Sequence, residues 1–200
     1  VGAIVWLNES TAADFYLVKV EAVRIGESPA APLLTLIAGP TPEAKQVGVQ
    51  KHERAERHDL RQAFWEALLQ RALSQTKLHS GVSGGAAGGM AAGCGRGGIP
   101  FIPGIRRREG PVRLSPEGWA AEQNHRHFDT LYAVREEIET TFGGPLEWDR
   151  VENRKRCSIG VSTDGGYKDD PSTWPETQAR MIDAMVRLET ALRPALAQLR

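Results

Sequence analysis

The run Phe142-Gly143-Gly144-Pro145-Leu146-Glu147-Trp148 leaves this chain little freedom in local structure. Upstream of it, Phe128, Leu131, Tyr132, Ile138 and Phe142 recur at helical spacing across 122–142 and give one helix an apolar side. The paired glycines stop that helix, because glycine reaches the left-handed conformation that closes a last turn, and Pro145 then releases the chain. Residues 146–151 lead into a charged turn, after which Cys157, Ile159 and Val161 alternate with Ser158 and Gly160, the period of a strand with one buried face. A helix running straight into a hairpin points to the α+β class: an antiparallel sheet packed by about three helices.

The other two helices follow from the same spacing rule. Asp59 suits the N-cap of a helix over 59–74, with Leu60, Phe64, Ala67, Leu68 and Ala72 on one face and Trp65 and Leu69 widening it. Trp65 is expected in the core. The last helix opens near Pro175, carries Met181, Met185, Leu188, Leu192 and Leu196 as its apolar stripe, and should kink or shorten at Pro194.

The front of the chain has a different character. Across 15–25, Tyr16, Val18, Val20 and Ala22 share one face at period two, and Lys19 and Glu21 share the other. Residues 26–32 supply a turn, and 33–38 read as a second strand stopped by Gly39-Pro40. Val1 is no initiator, and Ile4 to Leu7 look like the last turn of a helix. The hairpin is therefore expected to complete a sheet begun upstream, in a larger protein. The expected division is a remnant over 1–45, a polar linker over 46–58, and a domain over 59–200.

Lysine and arginine number 25, aspartate and glutamate also 25, so any basic surface has to be local. Cys94 and Cys157 are the only cysteines, and no apolar run has membrane length, which fits a reduced, soluble, cytoplasmic protein. Half of the residues in 81–98 are glycine, a composition that costs backbone entropy and offers little to bury; a flexible loop is expected there.

Phe64-Trp65-Glu66 with Leu68-Leu69, Phe128-Asp129-Thr130-Leu131-Tyr132, Glu136-Glu137-Ile138-Glu139, the Phe142–Trp148 run, and Trp174-Pro175 with Leu192-Arg193-Pro194 together resemble the domain-of-unknown-function family 4268. The stretch from Trp6 to Pro32 resembles the junction at which bacterial proteins join that module to a PD-(D/E)XK, restriction-endonuclease-like domain. The resemblance implies a nuclease-like α/β domain upstream, completed by the hairpin, and paired strands across 90–118. Here Pro103 interrupts the first of those strands, and Val112-Arg113-Leu114-Ser115-Pro116-Glu117-Gly118 departs from the acidic and apolar alternation of the second. That leaves a damaged sheet, a divergent stretch or a reading-frame scar as readings of the segment.

A PD-(D/E)XK site needs carboxylates for a divalent metal and a nearby lysine to orient water. The one acidic-x-lysine triplet, Glu43-Ala44-Lys45, follows Pro40 and Pro42, which forbid a central strand, so a solvated loop is the better reading. No catalytic residue and no metal ligand is assigned in this chain; magnesium belongs, on the resemblance, to the full-length parent. Gly93-Cys94-Gly95-Arg96-Gly97-Gly98 lacks the strand and helix that a phosphate loop requires. His125 and His127, two apart on a helix, diverge and read as solvent-facing or capping residues.

Basic clustering remains: Arg106, Arg107 and Arg108 with Arg113, and Arg150, Arg154, Lys155 and Arg156 around a hairpin turn beside Trp148. Arginine forks suit phosphate oxygens. The leading expectation is a non-catalytic C-terminal module of a restriction-endonuclease-like protein that helps bind or position DNA. Its rivals are an interaction or homodimerisation module, using the last helix and exposed aromatic surface, and part of a metal-dependent nuclease with its catalytic residues upstream.

Overall fold

A computed structural model describes the chain apart from residues 12, 80, 83, 84, 86, 94–96 and 200 and the side chain of residue 44. Two units emerge, Val1–Glu56 and Arg57–Arg200. In chain order the elements are α1 (Gly2–Ser10), β1 (Leu17–Val23), β2 (Ala31–Ala38), α2 (Pro42–Ala72), β3 (Ala92–Gly93), β4 (Pro100–Pro103), β5 (Glu109–Leu114), α3 (Ala121–Tyr132), α4 (Arg135–Phe142), β6 (Glu147–Arg150), β7 (Cys157–Asp164) and α5 (Trp174–Gln198).

In the first unit β1 and β2 pair antiparallel, with Val20 opposite Leu34 and Glu21 opposite Leu33. Buried Asn8 on α1 fixes the entry to β1: its side-chain amide donates to the Phe15 carbonyl and its carbonyl accepts the Phe15 N–H, both at 2.8 Å. Lys51 on α2 reaches Glu9 at 2.9 Å.

The second unit is built on a five-stranded antiparallel sheet ordered β3-β4-β5-β7-β6. β3, β4 and β5 form a meander; the chain then leaves through α3 and α4 and returns as β6 and β7, with β7 filling the place beside β5. The core gathers Val112, Leu114 and Ile159 from the sheet, Phe64, Trp65 and Leu68 from α2, Leu131 and Ile138 from α3 and α4, and Met181, Ile182, Met185, Leu188 and Leu192 from α5. Phe64 sits edge-on to Trp65 and Trp174, and its carbonyl accepts from Gln178 Nε2 at 3.1 Å. Fully burying one such aliphatic side chain contributes about 1.5–3 kcal/mol. The fold class expected from the sequence is the one observed.

Four local expectations change. Residues 46–58, expected as a linker, lie inside α2, which starts at Pro42 instead of Asp59. Their Glu, Lys, Gln and Arg are good helix formers, and a polar composition alone does not distinguish a solvated helix from a loop. The helix expected over 122–142 breaks at Val134, whose φ of −113° and ψ of 25° leave the helical region, with no glycine or proline to mark it. Tyr132, expected on the buried side, is consequently 42% exposed. α5 runs through Pro194 to Gln198; the backbone donor missing at Pro194 leaves the carbonyl of exposed Thr190, which water can reach.

The paired strands across 90–118 are present. Phe101 lies opposite Leu114 and Pro103 opposite Val112, so Pro103 closes β4 without breaking it. The Pro111 carbonyl accepts from Gly104 N–H at 2.7 Å, so β5 keeps a backbone bond just beyond the end of β4 although Pro111 has no donor of its own. The glycine-rich stretch is anchored at several points: Met90, Ala92 and Ile99 are buried, Met90 N–H donates to the Pro103 carbonyl at 3.0 Å, and Ile105 N–H donates to the Gly88 carbonyl at 2.8 Å. Gly143 ends α4 at φ 83°, with its N–H on the Glu139 carbonyl.

Candidate nucleic-acid interface

Residues 151–156 join β6 to β7, and their backbone is held from two sides. Asn124, fully buried in the first turns of α3, donates through Nδ2 to the carbonyls of Lys155 at 2.9 Å and Trp119 at 3.1 Å, and accepts the Trp119 N–H at 3.2 Å. His125 Nε2 lies 3.2 Å from the Arg154 carbonyl. Opposite them, Cys157 N–H donates to the Pro116 carbonyl at 3.2 Å. A turn satisfied through its carbonyls in this way presents its side chains outward on a fixed mount.

The four cations around that turn divide into two pairs. Arg150 forms a two-pronged pair with Asp129, at 2.8 and 3.3 Å, with Glu152 at 3.5 Å. The hydrogen bond to Asp129 raises the Arg150 pKa, holding the guanidinium charged. Arg156 is drawn to Ser115 Oγ at 3.2 Å and to Glu117 at 3.4 Å. Arg154 and Lys155 are exposed, and neither has a carboxylate within 4 Å among the described residues.

Arg106, Arg107 and Arg108 are elsewhere. Their loop feeds β5 where Glu109 pairs with Asp164, whereas Arg150 pairs with Cys157 at the other end of β7. At about 3.3 Å per residue the two ends of β7 lie about 23 Å apart, so the two basic clusters form two surfaces. Arg106 is paired with Glu109 at 2.5 Å, and Arg107 and Arg108 are exposed on a loop whose carbonyls accept from Lys168 and Gly165. Arg113 joins neither cluster. It reaches across β7 to Glu147 at 2.6 Å, passing over Gly160, where a Cβ would stand 2.1 Å from the Val112 carbonyl oxygen.

Trp148 is half-buried and packs edge-on against Phe128 and Tyr132, with ring centroids 5.9 and 5.5 Å away. Burial pushes the Cys157 thiol pKa up, and Arg150 opposes that rise. His125 serves the turn, while His127 is buried beside Trp119 with centroids 4.7 Å apart, which corrects the solvent-facing expectation for it. Among the described residues no group of three His, Cys, Asp or Glu side chains is placed to hold a metal ion, and no helix is long and apolar enough to cross a membrane. Glu43 and Lys45 sit in the first turn of α2 instead of a loop, with Lys45 Nζ 2.5 Å from Asp14. Residues 94–96, half of the Gly93–Gly98 motif, lie outside the described residues.

Sequence reasoning named His125 only as a solvent-facing or capping residue and missed Asn124 altogether. Their part in mounting the turn carried no local signal, since both contacts span about thirty residues and exist only once α3 lies against the end of the sheet.

Against known families, the profile of a domain of unknown function, DUF4268, matches residues 60–196. No curated protein and no solved structure matches the chain. The match covers more than half of the sequence, and the chain belongs to that family.

Proposed function

We propose that this DUF4268 member is a non-catalytic module that holds duplex DNA by its phosphates, with Arg154 and Lys155 as the contacting cations. The observation that carries the reading is their combination of fixed backbone and unpaired charge. With the backbone already fixed, only side-chain freedom is lost when this guanidinium and ammonium meet phosphate oxygens, and each contact releases condensed counterions. Arg150 and Arg156 take a supporting part, since their carboxylate partners already occupy them.

The resemblance of residues 6–32 to the junction with a restriction-endonuclease-like domain supplies the expected context: a bacterial, cytoplasmic protein whose chemistry, with magnesium, resides in that neighbouring domain. The dimerisation reading based on the last helix loses its surface, because Met181, Met185, Leu188, Leu192 and Leu196 are core residues. The test is fluorescence anisotropy with a labelled duplex at several salt concentrations. Affinity should fall linearly with salt on logarithmic axes; no binding at low salt sinks the reading.

A further inference from the structure

The hairpin of the first unit leaves β1 with one partner and a second edge that meets no strand among the described residues. One of its faces is wholly apolar: Val18, Val20 and Ala22 stand opposite Leu36, Leu34 and Pro32. That face is open, with Val18, Val20, Leu34 and Leu36 exposed by 44, 66, 65 and 61%. A lone two-stranded hairpin with an uncovered apolar face is marginal in water, and an unblocked strand edge offers a row of backbone donors and acceptors to another strand.

The charges on β1 specify which strand fits. Lys19 and Glu21 lie two apart on the other face, 2.8 Å from each other. If β1 meets a second β1 antiparallel about a two-fold axis through Val20, Lys19 of each copy stands opposite Glu21 of the other. Val18 then meets Ala22, and Leu17 meets Val23. Shifting the axis to Lys19 sets lysine against lysine, and shifting it to Glu21 sets glutamate against glutamate. Like charges directly opposite are destabilising and opposite charges favourable, so a single antiparallel register satisfies both residues. β2 offers no such choice: it has no charged residue, and it carries Pro32.

We propose that β1 is a homodimerisation strand, pairing edge to edge with β1 of a second copy about Val20 to make a four-stranded sheet β2-β1-β1-β2, in place of the upstream sheet expected from the sequence. Both apolar faces then lie on the same side of one continuous sheet, while the pairing itself satisfies the backbone groups of the two β1 edges.

The test is sedimentation equilibrium of the full chain from 1 to 100 μM, where μM affinity is on the order of that expected for a modest interface. The wild type should give twice the chain mass at the upper concentrations. Lys19→Glu should raise the dimer dissociation constant at least tenfold by setting glutamate against glutamate at both sites, and Glu21→Lys should do the same with lysines. The double variant Lys19→Glu with Glu21→Lys restores opposite charges in the same register and should regain the wild-type constant. Lys19 and Glu21 side chains are 56 and 42% exposed, so circular dichroism should be unchanged in all three variants. A wild type monomeric throughout the range, a dimer indifferent to the single changes, or a double variant that stays dissociated each overturns the proposal.

Discussion

The Glu139 carboxylate accepts the indole N–H of Trp148 at 3.0 Å, and the same oxygen accepts the Leu146 backbone N–H at 2.9 Å. One side chain on α4 thereby locks the start of β6 seven to nine residues later. The Phe142–Trp148 run thus gains a physical account: Gly143 turns the chain, Glu139 catches it, and Trp148 closes over Phe128 and Tyr132.

Those hydrogen bonds hold the Glu139 pKa below the ordinary glutamate value, with the Leu146 contribution first and Trp148 second. Glu139→Gln should cost about 1 kcal/mol at pH 7, because charge-assisted hydrogen bonds become neutral ones. The sign with pH follows from linkage. The folded pKa is depressed, so the stabilisation is complete above the unfolded pKa of about 4.3 and disappears as pH falls through the folded value. Urea midpoints of wild type and Glu139→Gln should differ at pH 7 and draw together as pH falls through the folded value; a constant gap would mean that the carboxylate charge contributes nothing.

How much of this was legible depends on the range of the interactions. Helical stripes, the Gly143 stop, the hairpin alternation and the buried Trp65 and Cys157 are local patterns, and the sequence states them directly. The extent of α2 was hidden because its polar turns carry no apolar stripe, and the Val134 break because a single β-branched residue disfavours helix only weakly. The basic residues were visible as a list, but their sorting was not. Arg150 became a partner of Asp129 twenty-one residues away, and Arg113 crossed a strand to Glu147. Which cations keep their charge for a ligand depends on tertiary neighbours, and composition does not record them.

His79 is buried, and neither ring nitrogen has a hydrogen-bond partner among the described residues. Burial lowers its pKa. As pH falls, the unfolded chain therefore takes up the proton first, so the contribution is complete above about pH 6.5 and declines below it. Wild-type stability should drop relative to His79→Leu by up to about 1.4 kcal/mol per pH unit between the two pKa values. Denaturant unfolding of both proteins at pH 7.5, 6 and 5 measures that difference. Parallel profiles would show that His79 is protonated equally in both states.

The glycine-rich stretch should not exchange uniformly. The amides of Met90 and Ile105 donate on either side of the isolated Gly89–Gly104 bridge, and Ile99 is fully buried between them in sequence. Hydrogen exchange should find both amides protected to near the global unfolding free energy, and Ile99→Ala should destabilise the protein by about 2–5 kcal/mol. Rapid exchange at Met90 and Ile105 with a silent Ile99→Ala would return the whole stretch to the loop expected from composition.

The DNA-contact reading makes a residue-resolved demand. For a protein neutralising Z phosphates, the logarithm of affinity falls with the logarithm of salt at a slope near −0.9Z on B-DNA. Arg154→Ala with Lys155→Ala removes two exposed cations whose backbone is held by Asn124 and His125, so the slope should shrink by about 1.8 while the unfolding midpoint stays put. Affinity should weaken to a similar degree on unrelated duplex sequences, since phosphates carry no sequence information. Arg107→Ala with Arg108→Ala serves as the matched control: it deletes the same formal charge from exposed residues at the far end of β7. A long-range field effect would move both doubles equally, whereas contact at the β6–β7 turn moves only the first. Equal slopes for wild type and the Arg154, Lys155 double would exclude this turn as the contact surface, and a loss confined to the Arg107, Arg108 double would transfer the interface to the opposite end of the sheet.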